Sequence, residues 1–267
     1  MRRLRPWLVL TLALVTGASV GIGRELAREF AVHSHDVILV ARDRDALEAL
    51  AGTLEGRHGI KATVFVFDLA DAGSPQRLYD AVVAEGLEVD VLVNNAGFGL
   101  GGAFADTDLE RELDMIQVNI ASLVQLTKLF MQPMLKRRQG RILNVGSTAG
   151  FQPGPYMSVY FATKAFILSF SQALDEELRN TGITVTCLCP GATATEFAKR
   201  AGITQTRLFS LTGVDDPADV ARYGYAATMR GERIAIPGLK HKMMVQAERA
   251  MPRSIVTRLS RMVQENR

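Results

Sequence analysis

Three side chains in the second half of the sequence have the types and the spacing needed to move a proton to or from an alcohol oxygen. Tyr160 and Lys164 lie four residues apart in residues 159–179, a periodic stretch without Pro or Gly, so a helix would place both on one face. A free phenol has a pKa of about 10 and is a poor acid or base at neutral pH. A neighbouring ammonium favours the phenolate and lowers that pKa, which suits general acid–base catalysis.

Ser147 completes this candidate site. It follows the apolar run of residues 142–145, which predicts a strand, and its hydroxyl can hydrogen-bond the same oxygen. Taken singly, each piece has an ordinary explanation, because a Tyr and a Lys at this spacing usually indicate only the surface of a helix. The interpretation therefore depends on what else the chain carries.

A glycine-rich stretch near the N-terminus predicts a turn that binds phosphate. An apolar run over residues 8–15 predicts a buried strand, an amphipathic helix is predicted over residues 24–32, and the stretch between them reads T-G-A-S-V-G-I-G. Glycine lets the backbone approach a ligand closely, and the amides at a helix N-terminus attract a pyrophosphate. Although the spacing differs from G-x-G-x-x-G, a strand, a glycine turn and a helix in this order predict dinucleotide binding.

Arg42 bears on which dinucleotide binds. It follows the second predicted strand, residues 37–40. An acidic residue near this strand end binds the ribose hydroxyls of NAD, whereas an Arg accommodates the 2′-phosphate of NADP. Arg42 therefore favours NADP(H) and does not exclude NAD(H). The alternative is that it only begins a solvated helix over residues 43–57.

Strands and helices alternate along the chain, with no linker, repeat or low-complexity segment between them. Further strands are predicted over residues 63–67, 89–93, 141–145, 183–188 and 233–236, and further helices over 74–85, 108–138 and 157–180. The pattern predicts an α/β fold with a single doubly wound, mostly parallel sheet and helices on both faces. Most of the candidate residues follow predicted strands, so we expect them to converge at the carboxyl edge of the sheet, where such folds bind ligands.

The sequence resembles the short-chain dehydrogenase/reductase family over about residues 8–240. The motifs that carry the resemblance stand in the family's order: T-G-x-x-x-G-I-G from Thr16, Asp68-Leu69, N-N-A-G from Asn94, Asn119, Ser147, Tyr160-x-x-x-Lys164 and P-G-x-x-x-T from Pro190 to Thr195. The resemblance implies a single NAD(P)-binding catalytic domain of Rossmann type over residues 1–237.

The resemblance also implies roles for individual residues. Tyr160 is the general acid or base, Lys164 binds the nicotinamide ribose, and Ser147 polarises the carbonyl. Asn119 supports a water leading to Lys164, and Asn94 lies near the adenosine. The cofactor-binding set implied in this way is Gly17, Ser19, Val20, Gly21, Ile22, Gly23, Arg42, Asp68, Leu69, Asn95, Ala96, Gly97, Tyr160, Lys164, Pro190, Gly191, Thr193 and Thr195. Val20 is a departure, because many NADP-dependent members carry a basic residue there.

We expect NADPH-dependent reduction of a ketone to a secondary alcohol. NAD-linked oxidation of a secondary alcohol is one alternative, and a non-catalytic dinucleotide-sensing or scaffolding module is another. Residues 196–211 are expected to cover the substrate, and their apolar side chains favour a lipophilic ketone such as a 3-oxoacyl chain or a steroid-like compound. These side chains are Phe197, Ile203, Leu208 and Phe209.

Residues 238–267 extend beyond the family's common core. Lys and Arg side chains interleave there with Met, Val, Ile and Leu, which predicts a basic amphipathic helical extension packed on the domain or on a partner subunit. Peripheral contact with a membrane is the alternative. The extension is similar to those of bacterial members that reduce long-chain 3-oxoacyl groups and other lipids, which favours a lipid-like substrate.

Composition narrows the classes of function. The chain has 267 residues, 48% of them hydrophobic, which is ordinary for a globular protein, and its net charge of +3 is too small to indicate nucleic-acid binding. Cys187 and Cys189 stand two apart in an apolar run, so we interpret them as core thiols on one face of a strand and expect no bound metal. By family resemblance we expect a homodimer or homotetramer, formed through the predicted helices 108–138 and 157–180.

The N-terminus has two interpretations. Arg2, Arg3 and Arg5 precede the apolar run of residues 7–15, as in a secretory signal peptide. Cleavage near Ala18 would destroy the glycine turn, so we favour a basic leader followed by the first buried strand. Because no apolar run approaches the length of a membrane span, we expect a cytoplasmic protein.

Overall fold

The seven strands of the structure form one sheet. The computed structural model describes residues 11–203 and 213–265. The strands are β1 (Leu12–Thr16), β2 (Asp36–Ala41), β3 (Ala62–Val66), β4 (Val91–Asn94), β5 (Gly140–Val145), β6 (Ile183–Leu188) and β7 (Ile234–Ala235). Their order is β3-β2-β1-β4-β5-β6-β7, and all neighbouring pairs are parallel. The predicted sheet is confirmed and is wholly parallel rather than mostly parallel.

Helices cover both faces of this sheet. They are α1 (Gly21–Val32), α2 (Arg44–His58), α3 (Ser74–Ala84), α4 (Leu109–Ile116), α5 (Leu123–Arg137), α6 (Ser158–Glu177), α7 (Phe197–Arg200), α8 (Pro217–Arg230), α9 (Leu239–Ala250) and α10 (Arg253–Gln264). The helices α1, α2 and α8 pack on one face, and α3, α5 and α6 pack on the other. The predicted doubly wound architecture is therefore confirmed.

The central strands are apolar throughout because both of their faces are covered. In β1, Val15 joins the core cluster of one face, whereas its neighbour Leu14 joins the cluster of the other face. Successive side chains of a strand point to opposite faces, and a strand covered twice therefore loses the polar alternation of an exposed sheet. Residues 8–10 of the first predicted strand lie outside the described residues.

The helical course predicted over residues 108–138 contains a change of winding. Between α4 and α5 the chain forms a π-helical segment, Gln117–Ser122. Such segments are rare and occur frequently at functional sites. Asn119, the candidate residue in this course, lies within the segment and is buried.

The C-terminal extension is helical, as predicted, and forms the two helices α9 and α10. Val245 of α9 is buried against Cys187 and Cys189 of the sheet, so α9 is anchored to the domain. Both cysteines are free thiols with no exposed surface, and their Sγ atoms lie 3.6 Å apart, as expected for core thiols on one face. No helix in residues 11–203 or 213–265 combines the length and apolarity needed to cross a membrane.

Candidate active site

A cavity of about 1260 Å³ lies at the carboxyl edge of the sheet. The loops that follow the six strands β1 to β6 line it, as expected for a doubly wound sheet. With one exception, all the predicted catalytic and cofactor-binding residues line this cavity. The exception is Asn119, whose side chain is 1% exposed and lies behind the cavity wall.

Tyr160, Ser147 and Lys164 meet at one side of this cavity. Tyr160 lies in the first turn of α6 and Lys164 follows one turn later, with its Nζ 5.7 Å from the centroid of the Tyr160 ring. Ser147 follows β5, and its Oγ accepts a bond from the Ala149 amide at 3.1 Å and donates to the Pro190 carbonyl at 3.4 Å. The three residue types that the sequence indicated are thus brought together by one strand end and one helix start.

The charge states of these groups differ from the expectation that Lys164 lowers the pKa of Tyr160. Burial raises the pKa of Tyr160 to about 12, and the hydrogen bond with Ser147 opposes this shift only in part. Burial also lowers the pKa of Lys164 to about 8. The Lys164 ammonium donates to the Val145 carbonyl at 2.8 Å, and desolvation is the largest cause of both pKa shifts. Tyr160 is consequently protonated at neutral pH.

Asn119 fixes the loop after β4 against the catalytic helix. Its Nδ2 donates to the Phe98 carbonyl at 3.0 Å and to Thr163 Oγ1 at 3.1 Å, while its Oδ1 accepts from the Phe98 amide at 3.1 Å. Thr163 directly precedes Lys164. The side-chain amide of Asn119 therefore connects the loop after β4 with the helix that carries Lys164. The water that the resemblance assigns to Asn119 stays a prediction.

The glycine turn is shaped to take an anion. Gly17 and Gly21 have φ of +66° and +57°, a left-handed conformation that glycine adopts without strain. A Cβ on Gly23 would collide with the Gly17 carbonyl, so close packing of the turn requires glycine there. Helix α1 begins after Val20 without a side-chain cap and without an acidic residue in its first turn. Its first amides and the helix dipole therefore suit a pyrophosphate.

The two asparagines after β4 take opposite directions. Asn95 lines the cavity, and its Nδ2 donates to the Thr16 carbonyl at 2.8 Å, which holds the start of the glycine turn. Asn94 is buried and donates to Thr127 Oγ1 and Asn144 Oδ1, both at 2.9 Å. The expected place of Asn94 beside the adenosine is wrong, because neighbouring side chains of a strand face opposite sides.

The opposite end of the cavity from Tyr160 carries the residues expected around the adenosine. Arg42 follows β2, and its Nη1 lies 3.5 Å from Asp68 Oδ2. Both side chains are largely exposed, so this surface ion pair is weak and leaves the guanidinium able to turn to a phosphate. The glycine turn, Asn95, Asp68 and Arg42 together fit a dinucleotide with a phosphorylated ribose.

The substrate end of the cavity includes residues that the sequence interpretation missed. The Phe197 ring lies 5.1 Å from the Tyr160 ring, and Ile203 also lines the cavity, as expected for a cover, whereas Leu208 and Phe209 lie outside the described residues. The missed wall belongs to the extension. It comprises His241, Met244, Ala247, Glu248, Met251, Val256, Leu259, Ser260, Val263 and Gln264. The available signal was the helical spacing of the apolar residues, which we had interpreted as a docking face.

Comparison with known proteins gives the chain a family. The sequence model described as short chain dehydrogenase matches residues 11–206. A very-long-chain 3-oxoacyl-CoA reductase of Anas platyrhynchos is 39% identical over 193 residues, which are 70% of this chain and 61% of that protein. The 17-beta-hydroxysteroid dehydrogenase type 3 of Rattus norvegicus is 36% identical over 192 residues, again 70% of this chain and 61% of that protein. The chain thus spans about three fifths of the length of these relatives.

Structural similarity covers nearly the whole chain. The structure of a short-chain dehydrogenase from Sphingobium yanoikuyae in complex with NADPH has a TM-score of 0.80 and 33% identity, and the match covers 90% of this chain and 94% of that one. The motifs, the cavity and these similarities agree, and the chain therefore belongs to the short-chain dehydrogenase family of NAD(P)-dependent oxidoreductases.

Proposed function

We propose that this protein reduces a lipophilic ketone to a secondary alcohol with NADPH. The observation that carries the proposal is the meeting of Tyr160, Ser147 and Lys164 at a cavity that also holds the glycine turn and an apolar wall. The relatives named as a 3-oxoacyl-CoA reductase and a hydroxysteroid dehydrogenase act on lipid-like compounds, which supports the substrate class.

Tyr160 acts as the proton donor in this proposal. With a pKa of about 12 it holds its proton at neutral pH and can give it to an alkoxide that forms beside it. Ser147 hydrogen-bonds the same oxygen, and the Lys164 ammonium adds positive charge nearby, so negative charge that develops there is stabilised. The bound cofactor supplies the hydride.

Reduction is favoured over the two alternatives. Oxidation of an alcohol would use Tyr160 as the base, so the same side chains serve either direction, and the relative named as a 3-oxoacyl-CoA reductase supports reduction. A module without activity would have no need of a Ser, a Tyr and a Lys gathered at one cavity. Reduction is thus the reaction that the gathered residues and the named relative support best.

The function is tested by screening ketones with purified protein. We expect NADPH consumption with 3-oxoacyl thioesters or with bulky apolar ketones, and much less with small polar ketones. If NADPH binds and no ketone is reduced, the result supports a non-catalytic dinucleotide-binding module. If secondary alcohols are oxidised with NAD while ketones are not reduced, the result supports an NAD-linked alcohol dehydrogenase.

Arg42 is expected to select the phosphorylated cofactor. Replacement of Arg42 by Asp should weaken NADPH binding by about 10- to 100-fold, because a charge-assisted hydrogen bond is lost and a repulsive charge is gained. NADH, which lacks the phosphate, should bind equally well or better. Fluorescence titration of both cofactors measures the two affinities.

Arg44 provides the matched control for Arg42. It is also exposed and lies two residues further on, at the start of α2, but it does not line the cavity. Replacement of Arg44 by Asp makes the same change in net charge. If the two variants weaken NADPH binding equally, the effect is one of overall charge, and the assignment of Arg42 fails.

We also propose that α4 contributes to a subunit interface. Leu109, Leu113 and Ile116 lie at helical spacing along this helix and are 64%, 49% and 39% exposed. An exposed apolar row of this kind indicates a contact surface. We expect native protein to sediment as a homodimer or homotetramer and Leu113→Asp protein to sediment as a smaller species. Leu239→Asp makes the same change on α9 and should leave the size unaltered.

Membrane contact through the extension stays a prediction. Leu239 and Met243 of α9 are 73% and 64% exposed and stand beside Lys240 and Lys242. Exposed apolar side chains flanked by basic ones suit an anionic lipid surface. Liposome binding that is unchanged in protein without the extension would contradict this interpretation.

A further inference from the structure

The helix α10 presents a mixed face to the cavity. Val256, Ser260 and Gln264 are spaced by four residues, so they lie along one side of the helix, and all three line the cavity. They are 5%, 5% and 6% exposed. A Gln is seldom buried to this extent without hydrogen-bond partners. The buried polar side chains on this wall therefore need hydrogen-bond partners.

Two oxygen atoms on this wall have no hydrogen-bond partner among the described residues. They are Oε1 of Gln264 and Oε2 of Glu248, and both are buried. A buried acceptor without a donor is costly, and most such atoms in proteins are satisfied by the protein, by water or by a ligand. Both side chains line the cavity, so a ligand in the cavity is the natural source of a donor.

Gln264 is held in place by its neighbours on α10. Arg261 donates to the Tyr156 hydroxyl at 3.1 Å and pairs with Glu265 at 2.8 Å. These contacts attach the end of α10 to the segment that leads into the catalytic helix. The end of α10 that carries Gln264 is thereby held beside the catalytic helix.

An apolar path connects Tyr160 with Gln264. Met157 and Ile203 belong to the buried cluster on which the Tyr160 ring packs. The same two residues and Gln264 separate the main cavity from a second cavity of about 440 Å³ and line both. A substrate whose ketone reaches Tyr160 and whose body follows this path meets Gln264 at its far end.

We infer that Gln264 binds a hydrogen-bond donor that the substrate carries at a distance from its ketone. The preferred substrate is then an apolar ketone with a remote hydroxyl or amide N–H, and not an unfunctionalised alkyl ketone. This inference rests on the ketone reduction proposed above and narrows its substrate class. The protein prefers such a substrate because only a substrate with a donor gives the buried oxygen of Gln264 a hydrogen bond.

Two pairs of substrates test whether the donor is a hydroxyl group or an amide N–H. One pair is a bulky hydroxy ketone and its deoxy analogue. The other is a 3-oxoacyl thioester of N-acetylcysteamine, which carries an amide N–H, and an S-alkyl thioester of the same acyl chain. We expect native protein to prefer the donor-bearing member of at least one pair by about tenfold in kcat/KM, mainly through a lower KM.

Replacement of Gln264 by Met tests the residue itself. Met has a similar length and no acceptor of comparable strength, so the preference should fall towards one as KM rises for the donor-bearing substrate. Gln246→Met is the matched control, because Gln246 is exposed on α9 and does not line the cavity. Its preference should equal that of native protein. The NADPH-induced thermal shift of each variant shows that it is folded.

The outcomes distinguish this inference from the proposed function. If native protein reduces both members of each pair equally, or if Gln264→Met protein keeps the preference, Gln264 does not bind a remote donor while ketone reduction stands. If none of the four compounds is reduced although NADPH binds, ketone reduction fails and the inference fails with it. A preference confined to one pair identifies whether the donor is a hydroxyl or a carrier amide.

Discussion

Tyr160→Phe protein is expected to reduce ketones about a thousandfold more slowly than native protein, which is the scale of a lost general acid. The substitution removes the proton donor and keeps the ring, including its packing 5.1 Å from Phe197. The loss should therefore fall on kcat and leave KM for the ketone within a small factor. Steady-state kinetics with NADPH and the best ketone of the screen measure both constants.

Tyr79→Phe is the matched control for this experiment. Tyr79 lies on α3, packs edge-on against Phe130 and does not line the cavity, so its loss of the same oxygen atom should leave kcat unaltered. If Tyr160→Phe protein keeps full activity, Tyr160 is not the proton donor and the mechanism proposed here is wrong. An equal loss in both variants would indicate a general effect on folding.

Lys164→Met protein is expected to be less active and, at neutral pH, more stable. Removal of the ammonium should lower kcat by at least about a hundredfold, because charge stabilisation beside the reacting oxygen is lost. Burial lowers the pKa of Lys164 from 10.5 to about 8, so the folded state below pH 8 carries a desolvated charge. A shift of this size corresponds to up to about 3 kcal/mol. The lost charge-assisted bond to the Val145 carbonyl offsets about 2 kcal/mol of the gain.

The stability difference between Lys164→Met and native protein should depend on pH. Below pH 8 both the folded and the unfolded chain hold the Lys164 proton, so the cost of burying the charge is present in full. Between pH 8 and pH 10.5 the folded state releases the proton first, and the cost is relieved as the pH rises. The stability advantage of Lys164→Met should therefore be largest near pH 7 and should shrink towards pH 10.

Chemical denaturation at pH 7 and at pH 10 measures this difference. Lys128→Met is the control, because Lys128 is exposed on α5 and its removal relieves no burial cost. A Lys164→Met protein that is less stable than native protein at pH 7 would contradict the argument. Such a result would mean that the ammonium has favourable partners that outweigh its desolvation.

The sequence was sufficient for the sheet and for the residues at its carboxyl edge. Continuous apolar runs such as that of β1 identify strands buried on both faces, and each strand end then places its following residue at the same edge. Ser147 and the glycine turn could be placed by this rule alone, whereas Tyr160 was indicated by its helical spacing to Lys164. This rule depends only on the order of strands along the chain, so a prediction made with it holds in the folded structure.

Properties that depend on burial could not be predicted in the same way. The pKa of Tyr160 is raised because the surrounding protein removes water from the phenol, and the spacing of Tyr160 and Lys164 contains no information about that water. Asn94 faces the core, although the adjacent Asn95 faces the cavity, because the strand continues to Asn94. The hydrogen bonds between Asn119 and Phe98, in a loop distant in sequence, could likewise not be predicted.

The extension that closes the cavity has a consequence for how substrate range evolves. The family's sequence model ends at residue 206, whereas the far wall of the cavity begins at His241 and belongs to α9 and α10. Two proteins can thus share every residue that performs the reaction and differ in every residue that α9 and α10 present to the substrate. Mutations in those two helices change what is reduced while the catalytic groups stay under separate selection. An ancestral ketone reductase could acquire new substrates by exchanging its last thirty or so residues.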